Sequence, residues 1–430
     1  MNWLVIVALL IAIYAVIAGI IWYKKLWGDR ITFYGPILAL KSNRVGIFDI
    51  FARYRTFLRI YGTIGVVMVI IISVLISFLL FLSVQFTIIY QPEPTGIYEP
   101  QNILLLPGIN EFIPSTFAVW MAFLITIFIH EFGHGLLSRV ENISVRSVGA
   151  LIAVIPIGFF VEPDEEELEN LKGLPKARMF GAGITNNMVV GFACFSLLIL
   201  LMGMAVPMNA PIIQGIYEGY PAEAAGIPGN SGILEVNGIA IHSREDISRI
   251  LAETRPGDEI TLTIEHRGEV TTHTLTLAEW PEEFDDQETG FMGISYFDAQ
   301  VSGEIFSGLA SPLGFLRFLA VPFDMSLEGQ YLKVLAFDTI ETSYYTVPFP
   351  FFWDILHLLF WSSWININVG IFNAIPMVPL DGGYIMQEGV TRFFERRKMV
   401  NIAKYIVGGI SWLMLFMIIS IILLPYLFHL

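Results

Sequence analysis

The stretch Phe112–Val140, FIPSTFAVWMAFLITIFIHEFGHGLLSRV, is long and apolar enough to cross a bilayer, yet it carries His130, Glu131 and His134 in its second half. A hydrocarbon core takes about 20 apolar residues, and an ionisable side chain at depth costs at least ~2.5 kcal/mol. Such groups are tolerated there only with a partner. On a helix, His130 and His134 lie four residues apart and share a face, one turn above the other. This is the H-E-x-x-H spacing, in which two neutral imidazoles hold one zinc ion and the intervening Glu works on a bound water. In a soluble protein the match alone would be weak; inside a membrane helix, chance must also account for three polar groups. Gly133 and Gly135 each cost about 1 kcal/mol in a helix interior relative to Ala, and they let another backbone come close.

The composition agrees with a chain built in lipid: 55% hydrophobic and 15% charged, against about 25% charged in a soluble protein. Besides Phe112–Val140, the runs Trp3–Tyr23, Ile60–Ile89, Met179–Ala205, Phe352–Met377 and Tyr405–Leu427 are long enough to span. The opening run has no basic segment before it and no small-residue cleavage site, so a retained first span is expected. Most of the 24 Lys and Arg fall in the connections 24–59, 139–178 and 392–404, and Gln91–Glu111 has none. Cytoplasmic loops carry such excesses. Six spans with both termini outside satisfy every loop, which sets the histidines nearer the cytoplasmic side of the cell membrane. The expected fold is an α-helical polytopic membrane protein of about six transmembrane helices with an inserted α/β module. The lone Cys194 excludes a disulfide framework and a cysteine zinc site. A net charge of −15 argues against nucleic acid.

The inserted module is Met208–Ala299, with 17 Asp and Glu against four Arg and alternating pieces such as ITLTIEH. By the charge pattern it is extracytoplasmic. GYPAEAAGI (Gly219–Ile227), ILEVNGIAI (Ile233–Ile241), the helix-like REDISRILAE (Arg244–Glu253) and GDEITLTIEHRGE (Gly257–Glu269) follow in order. That succession resembles a PDZ domain of the bacterial, protease-associated kind, departing from it at Asn230; another small half-barrel is the alternative. The expected parts are thus 1–95, an N-terminal pair of spans; 96–207, the span with the histidines, a hairpin and the next span; 208–299, the PDZ-like module; and 300–430, the C-terminal membrane part. Ser144–Val161 reads as a β-hairpin or re-entrant element lying against the membrane, and Glu162–Asn170 as a solvated acidic loop or, less simply, a cation screen. Ser311–Met325 is apolar enough for the interface, and the aromatic, proline-bearing Tyr344–Phe352 suits a belt where the chain re-enters the bilayer.

Catalytic zinc needs a third protein ligand and an open position. The remaining histidines lie in the acidic module, at the far end of the fifth span or at the chain end. Asp381 is the better candidate. It follows Pro376 and Pro379, which break the helix, and irregular backbone at membrane depth is tolerated only where it is buried or lines a watery cavity. The alternative is an interfacial Asp in a turn.

HEFGH on a membrane helix together with N-x-x-P-x-x-P-L-D-G (Asn373–Gly382) resembles the site-2 protease family of intramembrane zinc metalloproteases. Between them, GAGITNN (Gly181–Asn187) is similar to the family's A-G-P-x-x-N stretch, with Ile184 in the place of proline. The resemblance covers roughly Phe112–Gly383. It implies His130, His134 and Asp381 as zinc ligands and Glu131 as general base and acid. Asn187 and Asn373 would contact the substrate backbone or the oxyanion, or else bond between helices. The implied activity is hydrolysis of a peptide bond in or near the membrane helix of a single-span protein. That helix would have to unwind, which favours Gly, Pro or Asn near the cut. The PDZ-like module would contact a peptide or ectodomain of the substrate. The competing class is a non-hydrolytic metal-binding transporter or a PDZ-bearing membrane scaffold.

Overall fold

The computed structural model describes residues 3–103, 105–281, 284 and 288–430. Residues 282, 283 and 285–287 of the expected acidic module lie outside the described residues. Helix α1 (Trp3–Lys24) is followed by strands β1 (Ile31–Tyr34) and β2 (Ile37–Ser42), then by α2 (Gly46–Ala52) and α3 (Arg55–Tyr90). Helix α4 (Phe117–Val140) leads into β3 (Val145–Ala153) and β4 (Ile155–Pro163), then α5 (Glu165–Asn170) and α6 (Leu174–Met202). Next come β5 (Val206–Pro207), β6 (Pro211–Ile216), α7 (Pro221–Ala224), β7 (Gly232–Val236) and β8 (Ile239–Ala240). Helix α8 (Arg244–Leu251) precedes β9 (Glu259–His266), β10 (Glu269–Thr276) and β11 (Ile294–Asp298). Helices α9 (Ala299–Gly308), α10 (Pro312–Ala320) and α11 (Leu327–Leu332) and strand β12 (Tyr345–Thr346) complete that part. The chain closes with α12 (Phe352–Asn373), α13 (Asp381–Glu395) and α14 (Val400–Phe428).

Among the described residues, five helices are long and apolar enough to cross a membrane: α3, α4, α6, α12 and α14. They coincide with five of the expected spans, and α1 covers the stretch expected as the first. Ile64, Ile71, Val74 and Phe78 of α3 and Trp412 and Phe416 of α14 are exposed. In water, apolar rows of this extent would drive association; in lipid they are an ordinary outer face. Helix α12 stops at Asn373 and not at Met377, because Pro376 and Pro379 cannot continue it.

The chain divides into two compact units, Met1–Phe195 with Trp361–Leu430, and Ser196–Phe360. In the first, the hairpin expected at 144–161 is present as β3 and β4, but it belongs to a larger sheet of order β1-β2-β3-β4, antiparallel throughout. Strand β2 joins β3 with Ala39 opposite Leu151. The sheet lies against α4, where Phe128 meets Phe159 with ring centroids 5.6 Å apart. The acidic run beyond it is helical, not the loop expected: Asp164 caps α5 by accepting the Glu167 N–H at 3.1 Å and pairs with Arg146 at 2.8 Å. Those two contacts hold the Asp164 carboxyl below the usual carboxylate range. At the end of α4, Glu141 takes Arg178 of α6 at 2.8 Å and Arg59 of α3 at 3.2 Å, tying three helices together.

In the second unit the sheet order is β10-β9-β7-β6-β11, with β8 on the hairpin edge of β7. The alternation ITLTIEH works as expected: Ile260, Leu262 and Ile264 point into a core with Ile213, Ile233, Val236 and Leu275. Helix α8 lays Ile247 and Leu251 on that core and opens with a capping box of Ser243 and Asp246. Asn230, the departure from the PDZ pattern, adopts φ +60° and accepts a hydrogen bond from the Tyr344 hydroxyl. Strand β12 pairs with β5, so the chain just before the module and the segment leading to α12 lie side by side. The apolar stretch after the module forms α10, capped by Ser311, whose hydroxyl accepts the Gly314 N–H at 3.0 Å.

Candidate metal centre

Helix α4 carries His130 and His134 on one face, with ring centroids 4.8 Å apart and Nε2 atoms 3.2 Å apart. The third group comes from far along the chain. After α12 ends, residues 374–380 turn back, and Asp381 opens α13 with its side chain aimed at the pair. Asp381 Oδ2 lies 3.1 Å from His130 Nε2 and 3.3 Å from His134 Nε2. Gly382 and Gly383 make that turn feasible, since a Cβ at either would run into the backbone of Ala374 or Met377. The three side chains are 12–13% exposed, so the site is shielded but not sealed.

The donor set fits a tetrahedral ion. With bonds of about 2.0–2.1 Å, ligand atoms in such a site stand about 3.3–3.4 Å apart; the separations here are 3.1, 3.2 and 3.3 Å. Asp381 Oδ2 is buried and finds no hydrogen-bond donor of good geometry, although two imidazole nitrogens surround it. A buried carboxylate oxygen without a donor is costly and calls for a cation. His134 is oriented as a ligand would need to be: its Nδ1 donates to the Met179 carbonyl at 2.9 Å, which in the neutral imidazole leaves the lone pair on Nε2.

Glu131 points to the sheet, where its Oε2 accepts the Val161 N–H of β4 at 3.2 Å. Asn187 of α6 lies against His130, with Nδ2 3.2 Å from Nδ1, and is fully buried. Asn373 is the last residue of α12, half-buried. Asn366 sits in the bundle core, donating to Thr126 Oγ1 at 2.8 Å. The backbone that comes close at Gly133 is that of α6: a Cβ there would lie 2.7 Å from the Ala182 carbonyl oxygen. Gly135 makes room for the Phe48 ring. One residue of the GAGITNN stretch has a role that the motif did not disclose. Gly183 of α6 backs both imidazoles, and a Cβ on it would be 2.6 Å from His134 Nε2 and 2.7 Å from His130 Nε2. Its spacing of four from Asn187, which puts both on one helix face, was the available signal.

The profile of peptidase family M50 matches residues 118–418. The zinc metalloprotease RasP of Shouchella clausii is 28% identical over 223 residues, covering 50% of this chain and 50% of the relative. RasP of Oceanobacillus iheyensis is 26% identical over 225 residues, covering 50% and 51%. The chain thus spans about half the length of these relatives. The uncharacterized protein MJ0971 of Methanocaldococcus jannaschii is 22% identical over 380 residues, covering 87% of this chain and 84% of that one. Among solved structures, the PDZ domain of an SdrC-like protein from Listeria monocytogenes aligns with 21% of this chain and 90% of that chain. Its identity is 16% and its TM-score 0.19, too low to carry an argument. The family match covers more than half of the residues, from the start of α4 into α14: the chain is a multi-pass membrane protein of peptidase family M50, the site-2 protease family that its motifs resemble.

Proposed function

We propose that this protein is an intramembrane zinc metalloendopeptidase that hydrolyses a peptide bond within or near the transmembrane helix of a membrane-anchored substrate. The observation that carries this reading is the meeting of His130 Nε2, His134 Nε2 and Asp381 Oδ2 from two distant helices, within 3.3 Å of one another. These three would hold one zinc ion and leave a position open. When bound, the ion supplies Lewis acidity, lowering the pKa of water toward about 7 and polarising the carbonyl under attack.

Glu131 is the base and acid: its carboxylate takes a proton from the attacking water and returns it to the leaving amine. The Val161 N–H steadies that carboxylate and sets one of its oxygens. Among the described residues β4 pairs with β3 alone, so its other edge, where the Val161 N–H meets Glu131, has no strand partner. An unwound substrate segment can lie along such an edge as an added strand. In an intact helix the scissile carbonyl is engaged in a hydrogen bond, so substrates with Gly, Pro or Asn near the cut suit this site. The Lys and Arg distribution supports six spans, α1 included, with both termini and the PDZ-like module outside and the metal centre nearer the cytoplasm. The module would then contact the ectodomain of a single-span substrate, by a chain end or an extended strand.

Glu131→Gln tests the assignment. In a reconstituted assay with a single-span substrate, the variant should keep stoichiometric zinc and lose cleavage by at least about 100-fold. Retained cleavage would refute the role of Glu131, and a wild-type protein without zinc would refute the metal centre.

A further inference from the structure

An imidazole that offers Nε2 to a metal carries its proton on Nδ1, and a buried N–H needs an acceptor. His134 has the Met179 carbonyl. For His130 the only group described at Nδ1 is the amide of Asn187, 3.2 Å away. That amide is unusual. Asn187 has no exposed surface, its other terminal atom is buried without a partner, and among the described residues His130 is its one hydrogen-bond contact. Burying a half-satisfied amide costs free energy that interhelical bonding does not return. The neighbouring Asn186 shows the contrast: it accepts from Tyr61 at 2.7 Å and donates to the Ile129 carbonyl at 3.2 Å, bonding α3, α4 and α6 together.

The two orientations of the Asn187 amide select the two tautomers of His130. With Nδ2 toward the ring, Nδ1 accepts and the proton sits on Nε2, where it blocks the lone pair that would face Asp381 and His134. Turned by 180° about its terminal bond, with its heavy atoms nearly in place, the amide presents Oδ1 to Nδ1–H and frees Nε2. Gly183, one turn earlier on the same face of α6, lets the helix approach closely enough for this contact. We propose that Asn187 is a positioning residue of the metal centre, its side-chain carbonyl accepting the His130 Nδ1–H and so committing Nε2 to the ion. The inference rests on the zinc reading above and gives Asn187 a task other than holding the substrate.

The test is zinc affinity of the full-length protein in detergent, measured by chelator competition, with the thermal midpoint recorded for each variant. Asn187→Ala should weaken zinc binding about 10- to 100-fold. Asn187→Asp, which can only accept, should stay within about threefold of wild type. Asn186→Leu should lower the thermal midpoint and leave the affinity unchanged, separating positioning from bundle packing. An Asn187→Ala protein with wild-type affinity overturns the proposal, as does an Asn187→Asp protein weakened tenfold or more, since the ring would then require a donor. Should Asn187→Ala not fold, the Asn187→Asp affinity decides alone. A wild-type protein that binds no zinc fails the metal-centre reading itself, a different result from wild-type binding that Asn187 does not influence.

Discussion

Gly183→Ala puts one methyl group against the metal centre and leaves every proposed ligand in place. The added Cβ would stand 2.6 Å from His130 Cε1 and His134 Nε2 and 2.7 Å from His130 Nε2. Ordinary contact begins near 3.4 Å, so the rings or α6 must yield by about 0.8 Å. Metal sites hold their distances to within about 0.2 Å. The displacement exceeds that several times over and cannot be absorbed without spreading the three ligand atoms. Overpacking of this kind costs about 1–3 kcal/mol. If it falls on the arrangement that binds the ion, affinity drops about 5- to 150-fold, at 1.4 kcal/mol per decade. Chelator competition with zinc reads the change directly. Gly181→Ala is the control, because its Cβ would meet nothing closer than 3.5 Å, at Ile385 and Val66 side chains. A Gly183→Ala protein binding zinc within twofold of wild type would mean that the rings are not crowded by α6, and an equal loss in Gly181→Ala would mean that the effect is not local to them.

Two further outcomes follow from charges away from the site. Glu141 is 2% exposed and pairs with Arg178, itself 11% exposed, so Glu141→Leu leaves a buried cation uncompensated. Breaking a buried pair in this way costs about 3–5 kcal/mol, and the thermal midpoint should fall by several degrees; an unchanged midpoint would mean the pair is solvated. Asp246 is held below the usual carboxylate range first by the His242 backbone N–H and then by Ser243, at the cap of α8. A depressed folded pKa contributes stability above the unfolded value and loses it as pH falls. Amide exchange over 244–251 should therefore quicken as pH drops below about 4, beyond the intrinsic pH dependence of exchange. Exchange that tracks only the intrinsic rate would contradict this.

What the sequence disclosed and what it concealed divides along the range of the interactions. His130 and His134 are four apart on one helix, so their convergence is a local fact of 3.6-residue periodicity. Asp381 was legible because Pro376, Pro379 and the glycine pair mark a break that must serve some purpose at membrane depth. The pairing of β2 with β3 was not, since Ala39 and Leu151 meet across more than a hundred residues and β1–β2 lies in a connection marked mainly by its basic residues. The acidic run read as loop from its charge, yet Asp164 at the cap and three Glu in the first turn are what a helix N-terminus favours. The supports of the candidate metal centre were hidden most completely. Met179 contributes a backbone carbonyl, which has no sequence signature, and the burial of Asn187 depends on how α6 is rotated against α4.

The most direct test of the account is zinc X-ray absorption on the purified protein, wild type beside Asp381→Asn. The wild type should hold one zinc per chain with two imidazole nitrogens and carboxylate oxygen at about 2.0–2.2 Å, and the variant should show a changed coordination or lose the metal. A wild-type protein without zinc, or a spectrum that the Asp381 substitution leaves unaltered, would contradict it.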